Sequence, residues 1–239
     1  MSIIIFVVAL TVSIVAAKFI YEGVGVGNGL HPGTSSQQTV LRGVFNFRTV
    51  GVDGKMKAGI LWRSTRLSGA TEDDTEYLAK LLRGGLVVDL RTAAERKRIP
   101  DRSIPGVFNE NFPVRGAASA GGYVAAFVNN ATDRAQFGLA FTAIANAKGN
   151  VLIHCNYGKD RTGWLVAIVM YSLGANDRQV LTEYLRSNGQ VKGASVNADW
   201  LKAGLNAARQ KYGSIDKYIR EGLGVSDETI TKLKTKFAV

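Results

Sequence analysis

One stretch of ten residues, HCNYGKDRTG, brings a thiol, two cations and two glycines into a single short segment. It holds the only cysteine of the chain, Cys155, together with Lys159 and Arg161. The apolar run NVLIHC leads into it and predicts a buried strand, and the apolar run TGWLVAIVMYSLG leads out of it and predicts a buried helix. The thiol is therefore expected at a strand end, in a loop that leads into the N-terminus of a helix.

Such a loop is suited to binding a tetrahedral dianion. Its backbone N–H groups can converge on one point, where the helix dipole adds positive potential. Gly158 and Gly163 allow backbone angles and close approaches that other residues resist. The planar guanidinium group of Arg161 can hold two oxygens of the anion at once. The same field favours the thiolate form of Cys155, and a thiolate beneath a bound phosphate is placed for in-line attack on phosphorus.

Other interpretations of this loop are simpler. A lone cysteine at a strand end is more often a small buried apolar residue, and Arg161 could be a solvated residue at a helix start. The glycines and cations around Cys155 argue against the first interpretation. An arginine is unfavourable at the positive end of a helix unless an anion binds there, and this argues against the second interpretation. A Walker-type nucleotide loop requires G-x-x-x-x-G-K-[ST], and this stretch lacks that spacing.

Strand and helix patterns alternate in the first half of the chain, and helix patterns dominate the second half. TEDDTEYLAKLLRGG predicts a helix that is capped by Thr71 and ended by Gly84 or Gly85, and LVVDL then predicts a short buried strand. Further helices are predicted for RAQFGLAFTAIANAKG, DRQVLTEYLRSN, ADWLKAGLNAARQKYG, SIDKYIREGLG and SDETITKLKTKF. This order favours an α/β fold: a short, mainly parallel sheet flanked by helices, with a helix-rich C-terminal half.

The N-terminal residues differ in composition from the rest. Residues 2–17, SIIIFVVALTVSIVAA, carry no charged side chain, and they are short for a full membrane span but long enough for a signal-peptide core. We expect residues 1–22 to be a signal peptide or an N-terminal membrane anchor, so that the remainder is exported; a buried helix or strand is the alternative. Residues 23–39 predict a flexible linker, which makes His31 a poor catalytic candidate, and residues 40–239 predict one globular domain.

The charge balance of the chain points to an anionic partner. Lys and Arg outnumber Asp and Glu by 30 to 19, which gives a net charge of +11. On charge alone, a phosphorylated substrate, acidic lipid, cell-wall polymer and nucleic acid are all compatible, as is a role in solubility only. The 46% hydrophobic content excludes a disordered or collagen-like chain. A single cysteine allows no intrachain disulfide. The spacing of this cysteine and the two histidines resembles no zinc site.

The complete stretch from His154 to Gly163 resembles the signature of the cysteine-based protein tyrosine phosphatase superfamily, H-C-x-x-G-x-x-R-[ST]-G. Its GKDR variant is similar to a subgroup of bacterial and fungal tyrosine phosphatases with dual protein and phosphoinositide activity, several of them secreted. The segments FNFRTVG, LWRSTRL, VVDLRTAAE, YLRSN and YGSIDKYIREGLGVSDETITKL resemble the same subgroup. The resemblance covers residues 40–236 and implies the fold of tyrosine and dual-specificity phosphatases.

The resemblance implies a role for each residue of the loop. Cys155 would be the nucleophile that forms a phosphocysteine, and Arg161 would bind phosphate and stabilise the transition state. Thr162 would hydrogen-bond the sulfur and help it leave. His154 would orient the loop and tune the thiolate, with a hydrogen-bonded histidine at a strand end as the alternative. Lys159 would add charge for multiply anionic head groups, with a solvated lysine as the alternative. The predicted phosphate-binding residues are Asn156, Tyr157, Gly158, Lys159, Asp160 and Arg161, with Gly163 in support.

The general acid, which must protonate the departing oxygen, has two candidates. In the subgroup that this sequence resembles, the aspartate inside the GKDR loop is thought to serve, which here is Asp160. Most of the superfamily carries the acid on a separate upstream loop, and Asp133 is the competing candidate at that place. Alternatively, Asp133 is simply an acidic residue that stabilises the first turn of a helix. We prefer Asp160. Asp89 and Arg91 are expected to form a supporting ion pair, and Thr49 stands where the subgroup usually has an aspartate.

Two classes of function fit these observations. The first is an exported phosphomonoester hydrolase that acts on phosphotyrosine proteins, phosphoinositides or both, with an anionic membrane surface as a further partner. It would need no metal or organic cofactor, since the loop supplies the positive charge. Nucleic acid is not expected as a partner. The second is a catalytically weak module that binds phosphate or anionic lipid through the same loop. Rhodanese-like sulfur transfer also uses a cysteine loop, but the RTG ending and the extent of the resemblance argue against it.

Overall fold

The structure is a computed structural model that describes residues 41–115 and 123–239. The predicted signal peptide or anchor (1–22) and the predicted linker (23–39) lie outside the described residues, and both stay predictions. The described residues form one compact unit. Within the described ranges, no helix combines the length and the apolar character that a membrane crossing requires.

Strands and helices alternate up to the cysteine loop, and helices follow it. The strands of the described residues are β1 (Arg48–Val52), β2 (Met56–Ser64), β3 (Leu86–Asp89), β4 (Phe108–Asn111) and β5 (Val151–His154). The helices are α1 (Glu72–Leu82), α2 (Ala93–Arg98), α3 (Tyr123–Asn129), α4 (Ala131–Asn146), α5 (Asp160–Ser172), α6 (Asp177–Leu185), α7 (Ala198–Tyr212), α8 (Ile215–Lys217) and α9 (Asp227–Phe237). A π-helical turn, Tyr218–Gly222, continues α8.

The sheet is short and mainly parallel, as the sequence predicts. Its strand order is β1-β2-β5-β3-β4, and only the β1–β2 pairing is antiparallel. Strand β5 therefore lies in the middle, between β2 and β3. His154 is the register partner of Ser64 on β2 and of Asp89 on β3. The carboxyl ends of three strands thus meet directly before Cys155.

Both faces of the sheet are buried, which explains the continuous apolar sequences of β3 and β5. Val88 and Ile153 belong to the larger core, which also contains apolar residues of α3, α4, α5, α7 and α9. Val87 and Leu152 point to the opposite face and join a smaller core with α1. Helix α5 is buried at every position from 161 to 170, as expected of a central helix. The loop between β5 and α5 therefore has a rigid support at both ends.

Two predicted boundaries are shifted. Helix α1 begins after Thr71 with a capping box, as predicted, but it ends at Leu82, and Arg83 takes the left-handed conformation expected of a glycine. Gly85 instead permits a close approach, because a Cβ atom there would lie 1.9 Å from the carbonyl oxygen of Asn150. Helix α5 begins at Asp160 rather than near Thr162. Asp160 and Arg161 are therefore in the first turn of the helix rather than in the loop.

Candidate active site

The backbone carbonyls of residues 155–159 all face the surrounding protein. The Cys155 carbonyl lies 3.2 Å from His154 Nδ1, and the Asn156 carbonyl accepts from the backbone N–H of Arg66 at 3.1 Å. The side-chain amide of Asn46 donates to the carbonyls of Tyr157 at 3.2 Å and Gly158 at 2.9 Å. Arg63 Nη2 donates to the carbonyls of Gly158 at 2.5 Å and Lys159 at 3.4 Å. In a planar trans peptide, the carbonyl of one residue and the N–H of the next point in opposite directions. The N–H groups of residues 156–160 therefore face the inside of the loop.

These inward N–H groups are unpaired with respect to residues 41–115 and 123–239. Within the described part of the chain, none of the backbone N–H groups of residues 156–160 donates a hydrogen bond. Successive N–H groups that face the inside of one loop offer their hydrogens to an acceptor-rich ligand such as an oxyanion. The first turn of α5 adds the positive end of a helix dipole at the same place. The arrangement is that of an anion cradle above Cys155.

Gly158 and Gly163 are required by two close approaches. Gly158 has a φ of +63°, and a Cβ atom there would lie 2.0 Å from the carbonyl oxygen of Ser64. A Cβ atom at Gly163 would lie 2.7 Å from the ring of Tyr184. The first glycine lets the loop rest on the end of β2, and the second lets α6 pack against the start of α5.

A buried group behind the loop, Arg48, Arg63, Glu183 and Ser187, is called the rear cluster below. Glu183 accepts from Arg48 Nε at 2.9 Å and from Arg63 Nη1 at 3.2 Å. Both arginines also reach the Ser187 hydroxyl, at 3.3 Å. Burial lowers the pKa of Arg48 to about 9 and also lowers that of Arg63. Since Arg63 also donates to two loop carbonyls, the rear cluster fixes the shape of the cradle.

The cysteine and the threonine of the motif are both buried. The Cys155 side chain is buried, with 3% of the residue exposed. The Thr162 hydroxyl is also buried and has no hydrogen-bond partner among the described residues. The bond from Thr162 to the sulfur, which the resemblance implies, is therefore not made in this structure, and the hydroxyl is left with no competing partner.

Arg161 is oriented by a carboxylate that the sequence analysis did not single out. Its Nη1 and Nη2 donate to the two oxygens of Glu95 at 2.8 and 2.9 Å, a bidentate ion pair. Nη1 also donates to the carbonyls of Val114 at 3.0 Å and Leu90 at 3.3 Å. Burial would raise the pKa of Glu95, but Arg161 and the start of α2 hold it at about 2. Glu95 therefore fixes the plane of the guanidinium group.

A sequence signal could have found Glu95. Thr92 and Glu95 form a capping box at the start of α2, the spacing T-x-x-E that marks a helix N-terminus. The helix has only six residues, too few for a clear apolar period. Glu95 also accepts from the side chain of Asn156, which links α2 to the second residue of the loop.

A second buried group, Asp89, Arg91, Asp101 and His154, lies at the strand ends and is called the strand-end cluster. Asp89 and Arg91 form the predicted ion pair, with Nε–Oδ1 and Nη2–Oδ2 distances of 3.0 and 2.9 Å. Arg91 also pairs with Asp101, which the sequence analysis missed. Burial would raise the pKa of Asp89, but His154 and Arg91 hold it below its usual value. His154 Nε2 lies 3.3 Å from Asp101 Oδ2.

The strand-end cluster also has the donor types of a metal site. Asp89, Asp101 and His154 offer ligand atoms within 4.8 Å of one another. Arg91 pairs with both carboxylates, and Arg96 Nε lies 3.3 Å from Asp89. A divalent cation would have to enter beside two guanidinium groups, so the charges favour an ion-pair network over a metal centre.

The two candidate acids occupy different places. Asp160 stands at the start of α5, where one oxygen pairs with Lys159 Nζ at 2.9 Å and the other is buried without a partner among the described residues. Lys159 in turn lies over the ring of Trp200 on α7, 5.4 Å from its centre. Asp133 is in the first turn of α4, where its carboxylate accepts from the backbone N–H of Arg115 at 3.2 Å. Asp133 therefore holds the segment whose Val114 carbonyl contacts Arg161.

The outer edge of the loop is aromatic. Tyr157 is 48% exposed and Phe45 is 55% exposed. They lie near each other, because Asn46 donates to the Tyr157 carbonyl and the N–H of Thr65 donates to that of Phe45. Two exposed aromatic rings beside an anion cradle offer an apolar surface for the body of a substrate.

The match to a family model agrees with this geometry. The model described as "Tyrosine phosphatase family" matches residues 39–239, and the chain belongs to this family. The family resemblance stated from the sequence is thereby confirmed.

Individual relatives are distant. The triple specificity protein phosphatase PtpB of Mycobacterium tuberculosis is 27% identical over 35% of this chain and 42% of its own length. A relative from Cupriavidus necator is 29% identical over 39% of its length, so the chain spans about two fifths of each of these proteins. A tyrosine-protein phosphatase of Nostoc commune is 26% identical over 73% of this chain and 72% of its own. Among solved structures, the core catalytic domain of the PP-IP phosphatase SIW14 from S. cerevisiae matches 78% of this chain and 94% of its own, at 14% identity and a TM-score of 0.41.

Proposed function

We propose that this protein hydrolyses phosphomonoesters through a phosphocysteine intermediate, with phosphotyrosine in proteins as substrate and phosphoinositides as a second substrate class. One observation carries the proposal: the five inward N–H groups of residues 156–160 form an anion cradle above the only cysteine. The family membership of the chain supports it. A phosphate in the cradle would have its negative oxygens on the N–H groups and its phosphorus above the sulfur.

In the first step, the Cys155 thiolate attacks phosphorus while the bond from phosphorus to the substrate oxygen breaks. A sulfur–phosphorus bond forms, and the departing oxygen takes a proton from Asp160. The N–H groups and Arg161 stabilise the charge on the equatorial oxygens, and no cofactor takes part in the step. In the second step, water attacks the phosphocysteine, Asp160 accepts a proton from it, and inorganic phosphate and the thiolate are released. Thr162, whose hydroxyl has no hydrogen-bond partner among the described residues, would stabilise the departing thiolate.

Asp160 is the proposed general acid because of its surroundings. It is in the first turn of the helix that carries Arg161, and one of its oxygens is buried with no hydrogen-bond partner in the described part of the chain. The Asp133 carboxylate is already used by the backbone of Arg115. We expect Asp160→Asn to lower kcat about 100-fold and to remove the alkaline limb of the pH–rate profile. Asp133→Asn should lower stability and leave that limb in place; the reverse pattern would transfer the role to Asp133.

The rim and Lys159 support the two substrate classes. The exposed rings of Tyr157 and Phe45 offer a surface for the ring of phosphotyrosine. Lys159 Nζ, beside Asp160 and Trp200, and the net charge of +11 suit the additional phosphates of an inositol head group. A relative described as a triple specificity protein phosphatase supports a broad range of substrates.

The test is phosphate release by the purified protein, with a phosphotyrosine peptide, a phosphoserine peptide and a panel of phosphoinositides. We expect release from the first and the third, and none with Cys155→Ser, which should still bind the substrate. Lys159→Met should reduce turnover of phosphoinositides more than turnover of the peptide. Tight binding without turnover by the wild-type protein would contradict the proposal and favour a phosphate- or lipid-binding module.

A further inference from the structure

Both ring nitrogens of His154 face acceptors. Nδ1 lies 3.2 Å from the carbonyl oxygen of Cys155 and 3.9 Å from Asp89 Oδ1. Nε2 lies 3.3 Å from Asp101 Oδ2, within ion-pair distance but poorly aligned for a hydrogen bond. A neutral imidazole has only one N–H, whereas the imidazolium ion has two. Only the charged ring can therefore direct an N–H toward the carbonyl on one side and toward the carboxylate on the other.

Asp101 is the carboxylate that faces the outer nitrogen. It follows α2, and its side chain is 8% exposed. Its Oδ1 accepts from the backbone N–H of Leu67 at 2.6 Å, and its Oδ2 faces both Arg91 and His154. Asp89, by contrast, has both oxygens held by the Arg91 guanidinium and lies farther from the ring. The charge of Asp101 is thus the nearer of the two to His154.

We propose that Asp101 is a positioning residue that holds His154 as an imidazolium ion and thereby favours the thiolate form of Cys155. His154 precedes the cysteine directly and contacts its carbonyl, so a charge on the ring acts on the sulfur from the strand side. On the β2 side, Arg63 also interacts electrostatically with Cys155. The inference rests on the proposed function only where turnover is concerned, because the charge state of the thiol can be measured without substrate.

The direction in which the thiol titration moves distinguishes action through His154 from a direct effect of the Asp101 charge on the sulfur. Asp101 is negative, so its direct influence on the sulfur would disfavour the thiolate, and its removal would then favour it. Acting through His154, Asp101 favours the thiolate, and its removal disfavours it. In Asp101→Asn, an amide N–H₂ that faces His154 would also require Nε2 to be an acceptor, which leaves the ring neutral.

The experiment titrates the thiol of the full chain by the ultraviolet absorbance of the thiolate, with Cys155→Ser as the baseline. The chain has one cysteine, so the signal has one source. We expect the midpoint for Asp101→Asn to lie about one pH unit above that of the wild type, a roughly tenfold smaller thiolate fraction at acidic pH. The acidic limb of the kcat/KM profile should move by the same amount. An unchanged or lower midpoint would overturn the proposal.

Two further variants keep the result interpretable. In a His154→Gln background, Asp101→Asn should no longer raise the midpoint, because only the direct effect of Asp101 on the sulfur is left; an undiminished rise would overturn the proposal. Asp74→Asn is the matched control, since Asp74 is also buried and accepts from backbone N–H groups, but belongs to α1. It should lower stability without moving the midpoint. If wild-type protein shows no turnover while the titration behaves as described, the proposed function fails and this inference stands.

Discussion

The rear cluster and the strand-end cluster are both buried networks of arginine and carboxylate, yet they act on different parts of the loop. The rear cluster reaches the backbone: Arg63 donates to the carbonyls of Gly158 and Lys159. The strand-end cluster reaches the loop through one side chain, His154, at the residue that precedes the cysteine. One network supports the backbone of the loop, and the other, as we propose, sets the charge on the residue that precedes the cysteine.

This difference shows that shape and charge are supplied separately in this site. A cradle of correct shape without the strand-end charges would still bind an anion but would hold a weaker nucleophile. A charged strand end without the rear cluster would leave a reactive thiol without a formed binding site. The predictions below separate the two contributions.

The largest effect is expected from Arg63→Met. Arg63 is fully buried, and its removal leaves Glu183 with one buried partner fewer and the carbonyls of Gly158 and Lys159 with one donor fewer each. We expect the free energy of unfolding to fall by about 3 kcal/mol and phosphate release to be lost. Arg186→Met is the matched control, because Arg186 pairs with the same Glu183 from a side chain that is 42% exposed. It should cost less than about 1 kcal/mol in urea denaturation; equal costs would mean that the loop contacts do not matter.

Gly158→Ala tests shape without removing a charge. The substitution introduces a side chain at a φ of +63° and places its Cβ 2.0 Å from the Ser64 carbonyl oxygen. Gly54→Ala has the same backbone problem, with a φ of +67°, but no atom within 4 Å of the new Cβ. We expect Gly158→Ala to be less stable than Gly54→Ala by about 2 kcal/mol and to lose activity. If both variants have the same activity, the close approach at Ser64 is not what forms the cradle.

Glu95→Gln is expected to have the smallest effect on stability and a distinct pH dependence. The pKa of Glu95 is lowered from 4.5 to about 2, so its pairing with Arg161 is fully stabilising above about pH 4.5 and is lost as the pH falls toward 2. The variant should therefore show less acid destabilisation over that interval, and kcat/KM at neutral pH should fall about tenfold. Glu76→Gln, at an exposed position of α1, serves as control. If the variant and the wild type lose the same free energy of unfolding between pH 4.5 and pH 2, the ion pair is contradicted.

The sequence alone predicts those strands and helices that are determined by the pattern of neighbouring residues. The apolar runs on either side of HCNYGKDRTG predicted β5 and α5, since a buried strand and a buried helix have continuous apolar sequences. Strand β4, FNEN, could not be found this way, because three of its four residues are exposed and it lacks an apolar face. Strands β1 and β2 and helices α2 and α3 were also not predicted.

For the site, the sequence named the loop but not its supports. The loop residues are adjacent in the chain, so their chemistry could be inferred together. Asn46, Arg63 and Asp101 come to the loop from positions about 50 to 110 residues away, and nothing local marks a buried polar residue whose partner is so distant. Glu95 is the exception, because its capping box was visible in the sequence.

The measurement that tests the central claim most directly is a rapid acid quench of the wild-type protein during turnover of a phosphotyrosine peptide labelled in its phosphate. Mass spectrometry then locates the label. The account predicts phosphate on Cys155 alone, absent from Cys155→Ser and accumulating in Thr162→Val, in which the departing thiolate has lost its hydroxyl. Phosphate release without label on Cys155, or with label on another residue, would contradict it.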